Sequence, residues 1–449
     1  MPADQLIIQA LQTINSVQET SSPFILLAKN LFFAFWWIPL PFIFYPLLRW
    51  AFVFYMETNY AVSRKKVILE VKIPEQVVKP LRAMENFFNS FWTSYDPPSD
   101  WRTTFFEGKI IMGTSFEMVS IEGTPHFFIR TVEGARKLLE ATLYAQYPQI
   151  ELFEVPDYVA TIPQDLPNKD WDMWGCDFMP LKPDIYPLRT YSDFWEEKPD
   201  VPDEEKRLDP LSSILELFSK MGKGEYIWFQ INARPISVEE NDFVSRGKKE
   251  VDRLLKRGDP SSTTSGGPES MLTEFIKTFI NFFLGLLGPR KDEEKKQELF
   301  PGAMLLSPGE RDVISAIERK ISKTCYECNL RFIYLARKDV FNPAMKAFGP
   351  SFTAQFGTQN TNGLKPWKMT ITKIQSPDYF KESRLFIKKR NMFLRYRERD
   401  PAPGGTFILN TEELATIFHF PGHEVAQSPA LERIEVKKVA PPISLPVEE

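Results

Sequence analysis

Two cysteines and two histidines have spacings that occur in zinc sites. Cys325 and Cys328 form a C-x2-C pair, and His419 and His423 form an H-x3-H pair. Thiolates and imidazoles in such pairs can hold zinc with tetrahedral geometry. About ninety residues separate the two pairs, however, whereas a zinc finger has only about a dozen between them.

An alternating apolar pattern around Cys328 predicts a strand whose inward face also carries Leu330, Phe332 and Tyr334. The sequence therefore predicts buried structural cysteines and no metal ligands. A zinc-dependent membrane enzyme is the alternative that the four side chains leave open.

The motifs of nucleotide hydrolysis and nucleophilic catalysis are absent from the sequence. The nearest approach to a phosphate-binding P-loop is Met221-Gly222-Lys223-Gly224, which lacks the hydroxyl residue that binds magnesium. Only three histidines are present, and no nucleophile elbow accompanies them. We therefore expect a protein that is not an enzyme and that needs no cofactor.

The segment from Arg384 to Arg399 concentrates basic residues among aromatic ones. It could contact the phosphates of nucleic acid or an acidic partner. The candidate contact residues are Arg384, Lys388, Lys389, Arg390, Arg395 and Arg397. The other interpretation is a helix with solvated basic residues whose core face consists of Leu385, Phe386, Met392, Phe393 and Tyr396. The formal net charge of −4 for the whole chain favours this second interpretation.

The length and composition indicate a multidomain protein with a membrane-associated segment. The chain has 449 residues, which predicts two or three domains. Aromatic residues make up 14% of it, with 38 phenylalanines. Three cysteines are too few for a disulfide framework and are typical of a reducing compartment.

An apolar segment near the N-terminus predicts that residues 23–57 cross a membrane. No charge occurs from Leu31 to Leu48, and a helix of that length would be about 27 Å long. Pro39, Pro41 and Pro46 leave a kinked span and a re-entrant hairpin as alternatives. The residues expected in the lipid bilayer are Phe32, Phe35, Trp36, Trp37, Phe42, Phe44, Tyr45 and Leu48.

The charges on either side of this segment predict its orientation. No Lys or Arg precedes Pro23, whereas Arg64, Lys65 and Lys66 follow the segment. The positive-inside rule then predicts a single-pass protein of the cell membrane with most of its chain in the cytoplasm. Residues 1–22 are predicted to form an amphipathic leader.

The remaining chain predicts an α+β fold in which two ferredoxin-like (split βαβ) modules follow the transmembrane segment. Residues 64–158 have the pattern β-α-β-β-α-β of the first module, with a hairpin turn at Glu122-Gly123. Residues 159–224 are rich in Pro, Asp and Trp and predict an irregular linker. The pattern then restarts as a second module over residues 225–400.

An insertion at residues 238–297 interrupts the second module. Within it, residues 271–288 are apolar except for Glu274 and Lys277. This stretch predicts either an interfacial helix against the bilayer or a core or partner-binding helix. The residues expected on its apolar face are Phe275, Phe279, Phe282, Phe283 and Leu286. Residues 401–449 are predicted to form a C-terminal helix and a proline-rich exit.

Four stretches resemble a known family. They are Ser307-Pro-Gly-Glu-Arg-Asp-Val-Ile-Ser-Ala-Ile-Glu-Arg-Lys320 with the strand Leu330–Tyr334, the basic segment 384–399, Phe407-Ile-Leu-Asn-Thr-Glu-Glu-Leu-Ala-Thr-Ile-Phe-His-Phe-Pro-Gly422, and Lys438-Val-Ala-Pro-Pro442 with Leu445-Pro446. Together they are similar to the membrane-proximal N-terminal part of HerA/TraG-like ATPases of type IV secretion and conjugative DNA transfer. The resemblance covers mainly residues 225–446.

In that family the leucine-proline exit leads into a P-loop ATPase domain, whereas this sequence ends at Glu449. The resemblance therefore implies a non-catalytic, membrane-anchored component of a DNA or protein translocation assembly, which docks a separate P-loop ATPase and could form a homo-oligomer. The alternative is a membrane-tethered nucleic-acid-binding module. Without the family, Asn410-Thr-Glu-Glu413 still predicts a helix N-cap followed by acidic residues in the first turn.

Overall fold

A computed structural model describes residues 23–73, 81–194, 209–237, 241–256, 306–358, 360–374, 376 and 379–421. The predicted leader at 1–22, the apolar stretch 271–288 and the proline-rich exit lie outside these residues. The chain divides into two units. We call Met1–Arg64 with Pro97–Ile110 the N-terminal unit, and Lys65–Asp96 with Ile111–Glu449 the sheet unit.

The N-terminal unit consists of helices. Helix α1 spans Pro23–Phe35, α2 spans Pro39–Ser63, and a short helix, α4, spans Trp101–Phe105. Proline in the first turn of α2 has no N–H to donate and suits a helix start. The Arg49 guanidinium of α2 lies 4.8 Å from the ring centroid of Phe105 in α4.

The prediction of a transmembrane segment is wrong. Among the residues that the structure describes, no helix is long and apolar enough to cross a membrane. Residues Trp36–Ile38 form a turn that divides the predicted span into α1, with 13 residues, and α2, with 25. The longer helix continues past Arg49 into the polar sequence Glu57-Thr-Asn59.

A single antiparallel sheet of nine strands organises the sheet unit, in the order β4-β1-β3-β2-β6-β7-β5-β8, with β9 also paired to β7. The strands are β1 Lys66–Lys72, β2 Thr114–Ile121, β3 Thr124–Val132, β4 Glu151–Glu154, β5 Trp171–Pro180, β6 Glu225–Ile236, β7 Cys325–Arg337, β8 Leu364–Pro366 and β9 Phe407–Asn410. The predicted hairpin turn at Glu122-Gly123 is confirmed, since Ile121 pairs with Thr124. A Cβ at Gly123 would lie 2.6 Å from the Met221 carbonyl oxygen, so this tight turn requires glycine.

Eight α-helices of the sheet unit lie within the described residues. They are α3 Arg82–Phe91, α5 Arg136–Gln146, α6 Ser212–Ser219, α7 Phe243–Lys256, α8 Pro308–Ile321, α9 Phe348–Ala354, α10 Lys381–Glu398 and α11 Thr411–Ile417. Short 3-10 helices span Trp92–Ser94, Glu133–Ala135, Tyr158–Thr161, Tyr191–Phe194 and Pro343–Ala347. The N-cap of α11 is confirmed, because Asn410 Oδ1 accepts a 2.8 Å hydrogen bond from the Glu413 N–H.

The structure corrects the prediction of two ferredoxin-like modules in one respect, because both halves lie in a single sheet. Strands β1 to β4 alternate with α3 and α5 in a β-α-β-β-α-β order, but β2 pairs with β6 from Thr114↔Ala233 to Ile121↔Tyr226. Both halves therefore share one continuous sheet within an α+β fold. In the second half, β5 comes from the segment predicted as an irregular linker and lies between β7 and β8.

Each face of the sheet carries its own apolar layer. Helices α3, α5, α6, α9 and α11 cover the first face, where Phe116, Phe229 and Phe332 are buried. Helix α10 and the 3-10 helix Tyr158–Thr161 cover the second face, where Val119, Trp228 and Ile333 are buried. This separation follows from the alternation of side chains along each strand.

The second face also holds a line of polar side chains that crosses four adjacent strands. Glu117, Gln230, Arg331 and Asp177 stand opposite one another on β2, β6, β7 and β5, and all four are fully buried. We call them the polar row. Gln230 Nε2 donates to Glu117 Oε1 over 2.9 Å, and Arg331 Nε donates to Asp177 Oδ1 over 2.6 Å.

The residue that ends α10 completes the polar row. Arg399 adopts a left-handed backbone conformation with φ 58°. Its guanidinium donates to both Glu117 carboxylate oxygens, over 2.9 and 3.1 Å. Burial would raise the pKa of Glu117, but the charge and hydrogen bonds of Arg399, with further hydrogen bonds from Ser115 and Tyr158, lower that pKa to about 2.

The low pKa of Glu117 predicts a specific acid sensitivity. Because the pKa falls from 4.5 to about 2 on folding, the carboxylate stabilises the fold by about 3 kcal/mol above pH 4.5, and this stabilisation is lost as the pH falls to 2. We expect Glu117→Gln to lower the free energy of unfolding at pH 7 by about 3 kcal/mol and to flatten its decline below pH 4.5. Urea unfolding followed by circular dichroism at several pH values measures both effects.

The matched control is Glu216→Gln, since Glu216 is exposed and pairs with Lys220 on the surface of α6. This control should change the unfolding free energy by less than about 1 kcal/mol at any pH. If the free energies of unfolding of wild type and Glu117→Gln changed with pH in the same way, the assignment of a lowered pKa to Glu117 would be contradicted.

Candidate interaction surfaces

The N-terminal unit exposes a dense set of aromatic and aliphatic side chains. Seven of the eight residues predicted to meet lipid are at least 48% exposed: Phe32, Phe35, Trp36, Trp37, Phe44, Tyr45 and Leu48. The side chain of the eighth, Phe42, lies outside the described residues. Phe33, Trp50 and Phe54 on the same two helices are similarly exposed. Apolar surface of this extent usually marks an interface with protein or lipid.

Polar groups near these aromatic side chains form contacts within the protein, as expected at a boundary between water and an apolar phase. Trp37 Nε1 donates to the Ala34 carbonyl over 3.0 Å, so its ring can meet an apolar phase without an unpaired N–H. The Arg64 guanidinium lies 4.5 Å from the Tyr60 ring centroid near the end of α2. Aromatic residues with one polar end are typical of membrane interfaces.

The two halves of the basic helix α10 have different environments. In the C-terminal half, Met392, Phe393 and Tyr396 are buried, as the helix interpretation predicts. The Tyr396 hydroxyl shares a 2.5 Å hydrogen bond with Tyr158. In the N-terminal half, Leu385 is only half-buried and Phe386 is 51% exposed, so the predicted core face is wrong for Phe386.

Most of the predicted contact residues on α10 bond to the protein itself. Lys389 forms a 2.5 Å ion pair with Asp172, and Arg390 donates to the Leu166 carbonyl over 3.3 Å. Lys388 donates to the Ile371 carbonyl, and burial together with nearby Arg384 lowers its pKa. Arg397 bonds to Glu398 and to Gln164. These contacts reduce the number of cations available to nucleic-acid phosphates.

Arg384 and Arg395 complete the predicted set. Arg384 is exposed in the second turn of α10, whereas Arg395 is half-buried near its end. The sequence places all six basic residues on one helix, but the structure spreads them over several sides of it. The predicted interface therefore forms no single basic face.

A cleft of about 800 Å³ opens beside the N-terminal half of α10. The loop between Asp165 and Asp172 forms its other side. We call it the α10 cleft. Its lining consists of Asp165, Pro167, Asn168, Lys169, Asp172, Lys338, Glu382, Leu385, Phe386, Lys389 and Arg390. Sequence reasoning identified the helix but missed the cleft, because the facing loop lies more than 200 residues earlier in the chain.

A second cavity of about 440 Å³ lies beside α8 and the start of α11. Its carboxylate Glu412 is buried and accepts from Arg319 over 2.5 Å and from Lys323 over 2.7 Å. The neighbouring Glu413 pairs with buried Lys320 at 3.0 Å. The sequence shows the acidic pair as a helix cap, but it holds no signal for the ion pairs, which join residues about ninety apart.

Cys325, Cys328 and His419, the described members of the alternative zinc set, do not form a group that could hold a metal. Cys325 and Cys328 are buried free thiols on β7, and Cys328 shares its apolar layer with Leu330 and Phe332 as predicted. His419 is buried with both ring nitrogens bonded, one to Ala415 O and one to Asp209 Oδ1. His423 lies outside the described residues. Among the residues that are described, no group of three or more potential ligands could hold a metal.

The environment of the cysteines predicts slow thiol chemistry. Burial raises the pKa of Cys325 to about 12 and raises the pKa of Cys176 and Cys328 well above the usual range. We expect no thiol to react with a disulfide reagent at pH 8 in the folded protein and all three to react in denaturant, because only the thiolate attacks. Absorbance of the released thiol anion measures both.

An exposed cysteine introduced by Ser213→Cys provides the positive control, since Ser213 lies on the surface of α6. It should react within minutes in the folded protein. Rapid modification of Cys325 or Cys328, or one zinc ion per purified chain, would contradict the assignment of these residues as buried structural thiols.

Comparisons with protein-family models, with curated proteins and with solved structures find no match for this chain. The resemblance to HerA/TraG-like proteins therefore stays a prediction that rests on the four stretches quoted above.

Proposed function

We propose that this protein is a non-catalytic component of a type IV secretion or conjugation-like translocation assembly. Its N-terminal unit attaches to a lipid surface without crossing it, and its sheet unit docks a separate P-loop ATPase. The exposed aromatic surface of α1 and α2 carries this proposal, because it is the feature that most needs a partner.

Lipid is the partner that best suits this surface. Burial of one large apolar side chain stabilises a complex by about 1.5–3 kcal/mol, so the insertion of several such residues outweighs the entropy lost on attachment. Trp36, Trp37, Tyr45 and Trp50 combine an apolar body with a polar end and are exposed. Helices with such residues lie along the boundary between headgroups and acyl chains.

The charges of the sheet unit support a scaffold rather than a catalyst. The buried carboxylates Glu117, Asp177, Glu412 and Glu413 each pair with an arginine or lysine. A partner of opposite charge offsets part of the cost of burying each carboxylate, and each pair joins two elements of the fold. The charged interior therefore fixes the positions of elements.

Two of the resembling stretches, 307–320 with its strand 330–334 and 407–421, lie together in the fold, whereas the basic segment 384–399 packs on the other face of the sheet. Strand β9 pairs with β7 from Cys325↔Asn410 to Cys328↔Phe407. Helix α8 joins them because Lys320 donates to the Ile408 carbonyl and to Glu413. These stretches thus form one structural region, which is consistent with a common partner.

Lipid attachment predicts the behaviour of a triple variant, Trp36→Ser/Trp37→Ser/Phe44→Ser. Its association with phosphatidylcholine vesicles should fall at least about tenfold, because each lost apolar contact removes more than about 1 kcal/mol. Vesicle flotation after detergent dilution measures the bound fraction. The control variant, Phe153→Ser/Leu181→Ser, changes two exposed apolar side chains of the sheet unit and should float like wild type.

Equal flotation of the triple variant and wild type would contradict attachment through α1 and α2. If both bind only vesicles with anionic phosphatidylglycerol, charge rather than the aromatic surface would be responsible.

ATPase docking predicts the composition of the native complex. After cross-linking in native membranes and purification of the tagged full-length chain, mass spectrometry should identify a P-loop ATPase enriched over an untagged control. If no ATPase is enriched, the docking half of the proposal fails while the lipid half stands.

A further inference from the structure

We propose that the α10 cleft binds a segment of a partner protein that presents an apolar side chain flanked by acidic residues. This inference rests on the proposed function, since the ATPase is the expected owner of that segment.

The walls of the α10 cleft are held in place before any partner arrives. Asn168 Oδ1 accepts from the N–H groups of Asp170 and Trp171, over 2.9 and 2.8 Å, which fixes the loop on one side. The ion pair of Lys389 with Asp172 then joins this loop to α10. A preformed cleft lowers the entropic cost of binding.

The apolar part of the cleft is exposed although it lies on a well-packed helix. Phe386 is 51% exposed and lines the cleft with half-buried Leu385 and with Pro167. Aromatic rings that stay in water at a cleft are typical anchors for a partner's apolar side chain.

The charges of the cleft favour an acidic occupant. Four cations and three carboxylates line it, and Lys389 neutralises Asp172. The ammonium groups of Lys169 and Lys338 form no hydrogen bond or ion pair with any part of the chain that the structure describes. Acidic residues beside the partner's apolar anchor would supply those contacts.

A protein segment suits this lining better than nucleic acid does. Asp165 and Glu382 border the cleft and would repel a polyphosphate chain. A peptide can place carboxylates against Lys169 and Lys338 and leave the remaining positions uncharged. A cleft that combines apolar side chains with charges of both signs is typical of protein-peptide recognition.

The test uses full-length protein and fluorescein-labelled twelve-residue peptides in a fluorescence anisotropy titration. One peptide carries a central Phe flanked by Glu residues, a second replaces the Phe by Ser, and a third replaces the Glu residues by Lys. We expect the first to bind at least tenfold more tightly than either of the others. Equal binding of all three would overturn the proposal.

Two variants locate the site. Phe386→Ser should weaken binding of the first peptide at least tenfold, and Lys169→Glu/Lys338→Glu should reverse the preference so that the Lys peptide binds more tightly. A reversed preference cannot result from misfolding, which would abolish the binding of both peptides. Lys346→Glu, which changes an exposed residue outside the cleft, is the control and should change neither affinity.

Unchanged peptide preference in the double variant would overturn the proposal. A labelled twelve-nucleotide DNA strand that binds more tightly than the acidic peptide, and that the double variant no longer binds, would overturn it in favour of nucleic acid. Peptide binding without an enriched ATPase in native membranes would remove the ATPase-docking half of the proposed function and leave the cleft assignment intact. An enriched ATPase without binding of the acidic peptide would remove only the cleft assignment.

Discussion

The position of α10, and with it the shape of the cleft, depends on the buried polar row of Glu117, Gln230, Arg331 and Asp177. A buried charge costs several kcal/mol unless it is paired, so these side chains tolerate few alternative arrangements. A slip of one residue between β2 and β6 would turn Glu117 to the opposite, apolar face. The same carboxylate receives Arg399, which ends α10. The row therefore specifies both the strand register and the place where the helix stops.

Local sequence patterns predict those elements that are stabilised by their own side chains. The turn at Glu122-Gly123 and the cap at Asn410 are correct because short-range steric and hydrogen-bonding rules determine them. Strand β5 was not predicted because Gly175 and Asp177 interrupt its apolar pattern. Asp177 can be buried because it pairs with Arg331, which is 154 residues away in the sequence. The joining of β2 to β6 is likewise a non-local event. Periodicity can therefore suggest two modules but cannot show that they share a sheet.

The candidate surfaces were predictable in composition and only partly in placement. The sequence shows that α10 is basic and amphipathic, but burial of its apolar residues depends on what lies beneath each turn. Tyr396 meets Tyr158, whereas Phe386 borders an open cleft. At the N-terminus, an uninterrupted apolar run suggests one long helix. The turn before Pro39 divides it, because proline lacks the N–H that would continue the hydrogen bonds of the preceding helix.

The two strands at the ends of the sheet, β4 and β8, are short, with four and three residues. Strand β4 begins and ends with glutamate, and all but one of its residues are exposed. A short edge strand with charged side chains offers little template for another chain. Such an edge guards against fibrous aggregation, which matters when many copies are concentrated in two dimensions. Any ordered ring of subunits would then form through helices and loops instead of a shared sheet.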